Sequence, residues 1–346
     1  LPWLADLSYW HFAAEKRGTL PLPYQGHEGY LRLHRELGVC IYYGMGLSPA
    51  LLQREGVKEE SIEEGDRAVD RIECDGQVLE QHRRWLPESC CWAITRHYVT
   101  EVSQLAVVRE IYRRTRYLPN PDADAPLRDV GEDGLPILPL PRSPLPALFV
   151  DWVGVEGTVF LMADAREEVE ETLAVIDRAN DGFFSLLSRT SARLCHFCDN
   201  LSAETIGGYW DAYCADYYRR RVAQVHAAGK YCVTHLDGAT RGLIRRLVDA
   251  GLDGIESLTP KPVGDITMEE MSQLMEPSDC VFWGGLPGAM FVPPWDWDSL
   301  REMVGRLHRL HHSGRRVVVG SADQVPPDAH LDDVRRIAER LAQLGA

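Results

Sequence analysis

Residues 229 to 265 hold two successive crossings from strand to helix, and this rhythm restricts the chain more than any other feature of the sequence. Tyr231 to Thr234 is a short apolar run with β-branched members. Apolar residues then recur at helical spacing from Arg241 to Ala250, Gly251 closes that helix, and Gly254 to Ser257 begins another strand. A β/α barrel is built by repeating such units. His235, Asp237 and Glu256 therefore fall at the C-terminal ends of strands, on the rim where the loops of a barrel converge.

The same alternation extends over the C-terminal half. Strands are expected at Leu148–Val155, Arg193–Phe197, Cys280–Trp283 and Arg316–Gly320, with helices at Arg166–Leu187, Ala203–Ala227, Trp297–His311 and Leu331–Leu344. Each expected strand end carries polar or small residues: Cys198, Asp199 and Asn200; Glu256 and Thr259; Gly284 and Gly285; Ser321 and Asp323. Trp283 precedes the glycine pair. With 346 residues, one TIM-type (β/α)8 barrel with a small insertion is more economical than two domains.

The N-terminal half is less regular. Leu1–Trp10 predicts a first strand ending near Asp6, Tyr9 and Trp10, and Gly38–Tyr43 a second. From about residue 66 to 100 the period becomes that of short alternating strands, with Asp75-Gly76 as a hairpin turn, so a β-meander is expected there. Helical spacing returns at Gln104–Arg116. The proline-rich stretch from about 119 to 146 is expected to be a long loop.

Charge removes several function classes. Lys plus Arg against Asp plus Glu gives 37 − 52 = −15, which repels phosphate backbones and anionic lipid, so nucleic acid is not an expected partner. No long apolar run and no basic-then-apolar N-terminus suggests a membrane span or a signal peptide. Several of the nine cysteines (Cys74, Cys195, Cys232, Cys280) lie in apolar runs, where a free thiol behaves as a small hydrophobe, and a reducing cytoplasm is expected. No GxGxxG follows a strand and no GK[ST] is present, so no nucleotide cofactor is expected; no GxSxG elbow suggests a serine hydrolase.

Three further stretches, taken with residues 229–265, carry a family resemblance: Pro2-Trp-Leu-Ala-Asp6-Leu-Ser-Tyr9-Trp10, Trp283-Gly-Gly-Leu-Pro-Gly288 and Val319-Gly-Ser-Ala-Asp323-Gln-Val-Pro-Pro327. The chain resembles the uroporphyrinogen decarboxylase superfamily, and especially its branch of corrinoid (cobalamin)-dependent methyltransferases. In that branch a His-x-Cys after one strand and a later Cys hold a catalytic zinc. Here His235-x-Asp237 and Asp323 occupy those places, so the resemblance implies a His235, Asp237, Asp323 metal set with oxygen in place of sulfur, which Glu256 could extend. Without a metal the same groups would be hydrogen-bond partners for a substrate, and both readings stand. His196-x-Cys198 repeats the His-x-Cys form on one face of an expected strand, without a third ligand nearby in sequence.

The decarboxylases of the superfamily carry an arginine-rich motif where this chain has Asp6-Leu-Ser-Tyr9-Trp10. An acid beside two aromatics suits a neutral or cationic group, not a polycarboxylate; Tyr9 and Trp10 serve equally well as core aromatics. The resemblance thus implies an enzyme moving a methyl group between a small methylated substrate and a corrinoid on a separate protein, or a thiol or folate acceptor, since the chain lacks a corrinoid-binding Asp-x-His-x-x-Gly. Catalytic roles are expected for His235, Asp237, Glu256 and Asp323, and substrate contacts for Asp6, Tyr9, Trp10, Asp199, Asn200, Thr259, Trp283 and Gly284. A decarboxylase is the first alternative, and a non-catalytic binding or scaffold barrel the second.

Overall fold

The structure, a computed structural model, describes residues 1–345. In chain order its strands are β1 (Trp3–Asp6), β2 (Ala50–Arg54), β3 (Val57–Glu64), β4 (Arg67–Cys74), β5 (Gln77–Leu86), β6 (Cys91–Arg96), β7 (Thr115–Pro119), β8 (Leu138–Leu140), β9 (Leu194–Leu201), β10 (Tyr231–Leu236), β11 (Gly254–Leu258), β12 (Val281–Pro287) and β13 (Val317–Gln324). Seven of them form one curled parallel sheet, ordered β1-β13-β12-β11-β10-β9-β8, with helices packed on its outer side. A parallel sheet is buried on both faces, and two apolar layers result. Leu4, Tyr42, Ile137, Leu194, Val233 and Trp283 fill the interior, while a larger cluster lies between sheet and helices.

The open edges, β1 and β8, are spanned by Cys40–Tyr42. Cys40 N donates to Trp3 O at 2.9 Å, and Ile137 N donates to Tyr42 O at 2.9 Å. Only isolated bridges form, Leu4 to Cys40 and Ile41 to Gly134. The strand expected over Gly38–Tyr43 is therefore a brief crossing, and the TIM-like sheet has no full ladder at this place. Gly44 and Gly46, at φ 77° and 65°, turn the chain away directly after Tyr43.

The inserted segment starts earlier than the sequence predicts. β2 and β7 pair as an antiparallel neck, and β3 to β6 form a four-stranded antiparallel meander that begins at Val57, not near residue 66. β3 reads Val-Lys-Glu-Glu-Ser-Ile-Glu-Glu and is almost wholly exposed, so it lacks the apolar alternation that betrays a strand. Asp75 and Gly76, both at positive φ, turn β4 into β5.

Three other expectations are corrected. Leu148–Val155 is not a strand: Pro144–Ala147 and Leu148–Trp152 are helical, and a continuous apolar run does not distinguish the two states. The strand lies instead at Leu138–Leu140, inside the stretch expected to be loop, which also carries a helix at Ala125–Val130. The helix expected over Ala203–Ala227 is interrupted, as Ala203–Ile206, Trp210–Cys214 and Ala215–Ala227. Among the described residues no helix is long and apolar enough to cross a membrane.

Candidate active site

Parallel strands deliver their C-terminal ends to one mouth, and there six residues from five strands meet. Asp6 comes from β1, His196 and Cys198 from β9, His235 from β10, Glu256 from β11 and Asp323 from β13. With Tyr42, Tyr43, Asn200 and Gln324 they line an inner cavity of about 220 Å³. A wider outer cleft of about 600 Å³ lies beside it, lined by Tyr9, Asp237, Thr259, Asp265 and Pro287 among others. Asp323 and Gln324 line both. The rim is held in costly conformations: Asn200, Ser257 and Asp323 have φ of 50°, 67° and 67°, which L-residues adopt at about 1–2 kcal/mol each.

Glu256 is the hub. It is buried, and its Oε2 accepts from His235 Nδ1 at 2.8 Å and from His196 Nε2 at 3.2 Å, while Tyr42 OH donates to Oε1 at 3.3 Å. Burial pushes the Glu256 carboxyl up, but His235 and His196 outweigh it and hold it at about 2. Burial pulls His196 down, and Cys198 and Glu256 reverse this, raising it to about 9. His235 is likewise raised well above its ordinary value, against burial, chiefly by Glu256. Asp6 is raised by burial despite the bonds it accepts from Ser8 N and Gln324 Nε2.

With Nδ1 committed to Glu256, the Nε2 of His235 faces Asp237 and Asp323, at 3.6 and 3.8 Å from their carboxylates. A second set of donors, on His196, His235 and Glu256, lies within 4.8 Å of one another. Distances separate the two. Ligands of a tetrahedral zinc about 2.0–2.1 Å away lie about 3.4 Å apart. The 2.8 Å between His235 and Glu256 is a hydrogen bond and shorter than that spacing, and the 3.6 and 3.8 Å on the Nε2 side are longer than it. Among the described residues only His196, His235 and Glu256 bring one donor each within 4.8 Å of one another; Asp237 and Asp323 each approach Nε2 of His235, and Glu256 stands behind His235 as the carboxylate that fixes the ring.

The expected substrate residues divide. Asp6 and Asn200 line the inner cavity; Tyr9 and Thr259 line the outer cleft, and Tyr9 OH donates to Ser89 O of the inserted segment. Four others lie elsewhere. Trp10 donates through Nε1 to Ala329 O at 3.2 Å and lines neither space. Asp199 points to the opposite face of β9 from His196, where it accepts from Ser143 N and Oγ and from Tyr218 OH. Trp283 packs on Tyr42, ring centroids 5.0 Å apart, in the barrel interior. Gly284 is a point of close strand approach: a Cβ there would lie 2.7 and 2.8 Å from the backbone N and O of Leu258. A strand ending at Trp283 would put the last two on the rim; β12 continues to Pro287 and keeps them within the sheet.

Sequence reasoning undervalued His196 and Cys198 and overlooked Tyr42 and Gln324. The period of two already turned His196 and Cys198 to one side. Their partner Glu256 is 60 residues away. Cys195 and Cys198 also have Cys-x-x-Cys spacing, but an offset of three on a strand sends them to opposite faces, and Cys195 is fully buried.

No protein-family model matches this chain, and no curated protein matches it. Solved structures do: 27 chains match, among them a methyltransferase from Methanosarcina mazei, with a TM-score of 0.64 over 100% of this chain and 94% of that one, at 12% sequence identity. At that identity the match shows a shared fold.

Proposed function

We propose that the protein is an enzyme of methyl transfer, taking a small methylated substrate into the inner cavity and exchanging its methyl group with a corrinoid carried by a separate protein at the outer cleft. The observation that carries this is the junction of the two spaces, where His235 Nε2 faces Asp237 and Asp323. The fold shared with a methyltransferase supports it, as does the resemblance of residues 229–265 and 319–327 to corrinoid-dependent methyltransferases.

His235, Asp237 and Asp323 would hold zinc or another divalent ion. Such an ion lowers the pKa of a bound thiol, alcohol or water and makes it a nucleophile at neutral pH. The remaining roles belong to the chain. Glu256 orients His235 and keeps its Nδ1 protonated. Tyr42 fixes Glu256 from below, and Gln324 fixes Asp6 at the cavity wall. Neither space includes an Arg or Lys in its lining, which disfavours a substrate with several carboxylates and hence the decarboxylase alternative.

The test uses zinc-loaded protein with cob(I)alamin and a panel of methanol, methylamines, methylated thiols and methoxyarenes, reading methylcobalamin by its absorption. At least one member should give methylcobalamin at a rate that His235→Ala abolishes. Background rates for the whole panel, in both methylation and demethylation directions, would refute the reading.

A further inference from the structure

We propose that Cys198, held by His196 and Glu256, is a nucleophilic thiol that captures a small, soft electrophile entering the inner cavity. Cys198 Sγ lies 2.9 Å from His196 Nδ1, and the other nitrogen of the same ring lies 3.2 Å from Glu256 Oε2. All three side chains line one cavity. Nucleophile, imidazole and orienting carboxylate in that order form the arrangement that activates a thiol.

The methyl-transfer reading uses Glu256 through His235 but leaves His196 and Cys198 without a role, although His196 reaches the same Oε2 that His235 does. The support is rigid. Strand alternation puts His196 and Cys198 on one face of β9, and Arg142 Nη1, itself held by Asp151, donates to the carbonyl of Cys198. Tyr43 closes the cavity beside the thiol. The other cysteines offer no equivalent. Cys74, Cys90, Cys195, Cys214, Cys232 and Cys280 are buried, and Cys40 and Cys91, half-buried like Cys198, line no part of this cavity.

The chemistry is a displacement. The sulfur of Cys198 bonds to the electrophilic carbon, the bond from that carbon to its leaving group breaks, and the leaving group departs with the electron pair. His196 Nδ1 takes the thiol proton as the sulfur–carbon bond forms and passes it to the leaving group or to solvent.

Iodoacetamide is a suitable probe, with iodide as the leaving group. The native protein is labelled at pH 7 in EDTA, and each cysteine is followed by peptide mass spectrometry. With an imidazole 2.9 Å from its sulfur to take the proton, Cys198 should be alkylated about tenfold faster than Cys40 and Cys91. His196→Gln should remove that advantage and leave Cys91 unchanged. If Cys198 in the folded parent reacts no faster than Cys91, or if His196→Gln leaves its rate unaltered, the proposal is wrong. Should His196→Gln not fold, the comparison within the parent decides alone. The labelling needs neither metal nor corrinoid, so its failure would leave the reading of His235 standing.

Discussion

Nδ1 of His235 lies 2.8 Å from Oε2 of Glu256, and this one bond determines which nitrogen of His235 is free to meet a ligand. An amide at position 256 would remove the anion and permit the other tautomer. If the ion is held by His235, Asp237 and Asp323 with Glu256 behind them, Glu256→Gln should weaken zinc binding about 10- to 100-fold, as replacement of a carboxylate behind a metal-bound imidazole commonly does. Competition titration with a chromophoric chelator measures it. An unchanged affinity would mean that Glu256 does not orient the ring.

Asp199 offers the opposite case. It accepts from Ser143 and Tyr218 on the helix side of β9, so its work is to tie the sheet to its cover. Asp199→Asn should cost about 1–3 kcal/mol of stability, seen as a lower urea midpoint, while zinc content stays at the parental level. Loss of zinc without loss of stability would return Asp199 to the site.

At Gly284 an added methyl group meets backbone, which cannot swing aside, and φ is 134°. Gly284→Ala should lower stability by about 3 kcal/mol or more, at the upper end for single substitutions. A variant with parental melting behaviour would show that β11 and β12 are not so close.

His196 supplies a pH dependence with a definite sign. Its folded-state value of about 9 lies above the ordinary imidazole value, so its contribution is fully present below about pH 6.5 and is lost as pH rises to 9. In EDTA, the urea midpoint of the parent should fall between pH 6.5 and 9 by more than that of His196→Gln. Parallel curves for the two proteins would contradict the pairing of His196 with Cys198 and Glu256.

These cases show where the sequence was legible. The punctuation of residues 229–265, with Gly251 closing a helix and β-branched runs on either side, set His235 and Glu256 on two successive strands; His235 is the penultimate residue of β10, as expected, whereas Glu256 is the middle residue of β11. Asp323 followed from a β-branched strand halted by Pro326-Pro327. What failed was of two physical kinds. Boundaries failed where apolar runs fit either state, as at Leu148–Val155, or where a strand ran on through glycines, as at Gly284 and Gly285 in β12. Partnerships failed where they depend on the closing of the sheet: Glu256 meets His196 and Tyr42 across 60 and 214 residues. No local pattern encodes such a meeting, and the side of β9 that Asp199 faces could be had only from its full extent, Leu194–Leu201.

The central claim is that His235, Asp237 and Asp323 hold a divalent ion, and Asp323 tests it most directly because it stands at the boundary of the two spaces with its side chain 57% exposed, so its replacement disturbs little packing. Elemental analysis of the parent, Asp323→Asn and Asp323→Cys, each purified without chelator and dialysed against zinc, is the measurement. The account predicts about one equivalent of zinc in the parent, clearly less with the neutral amide, and parental or tighter binding with the thiolate, which zinc accepts readily alongside nitrogen. Equal zinc in all three, or zinc in none, would contradict it and leave Asp323 as a hydrogen-bond acceptor for substrate.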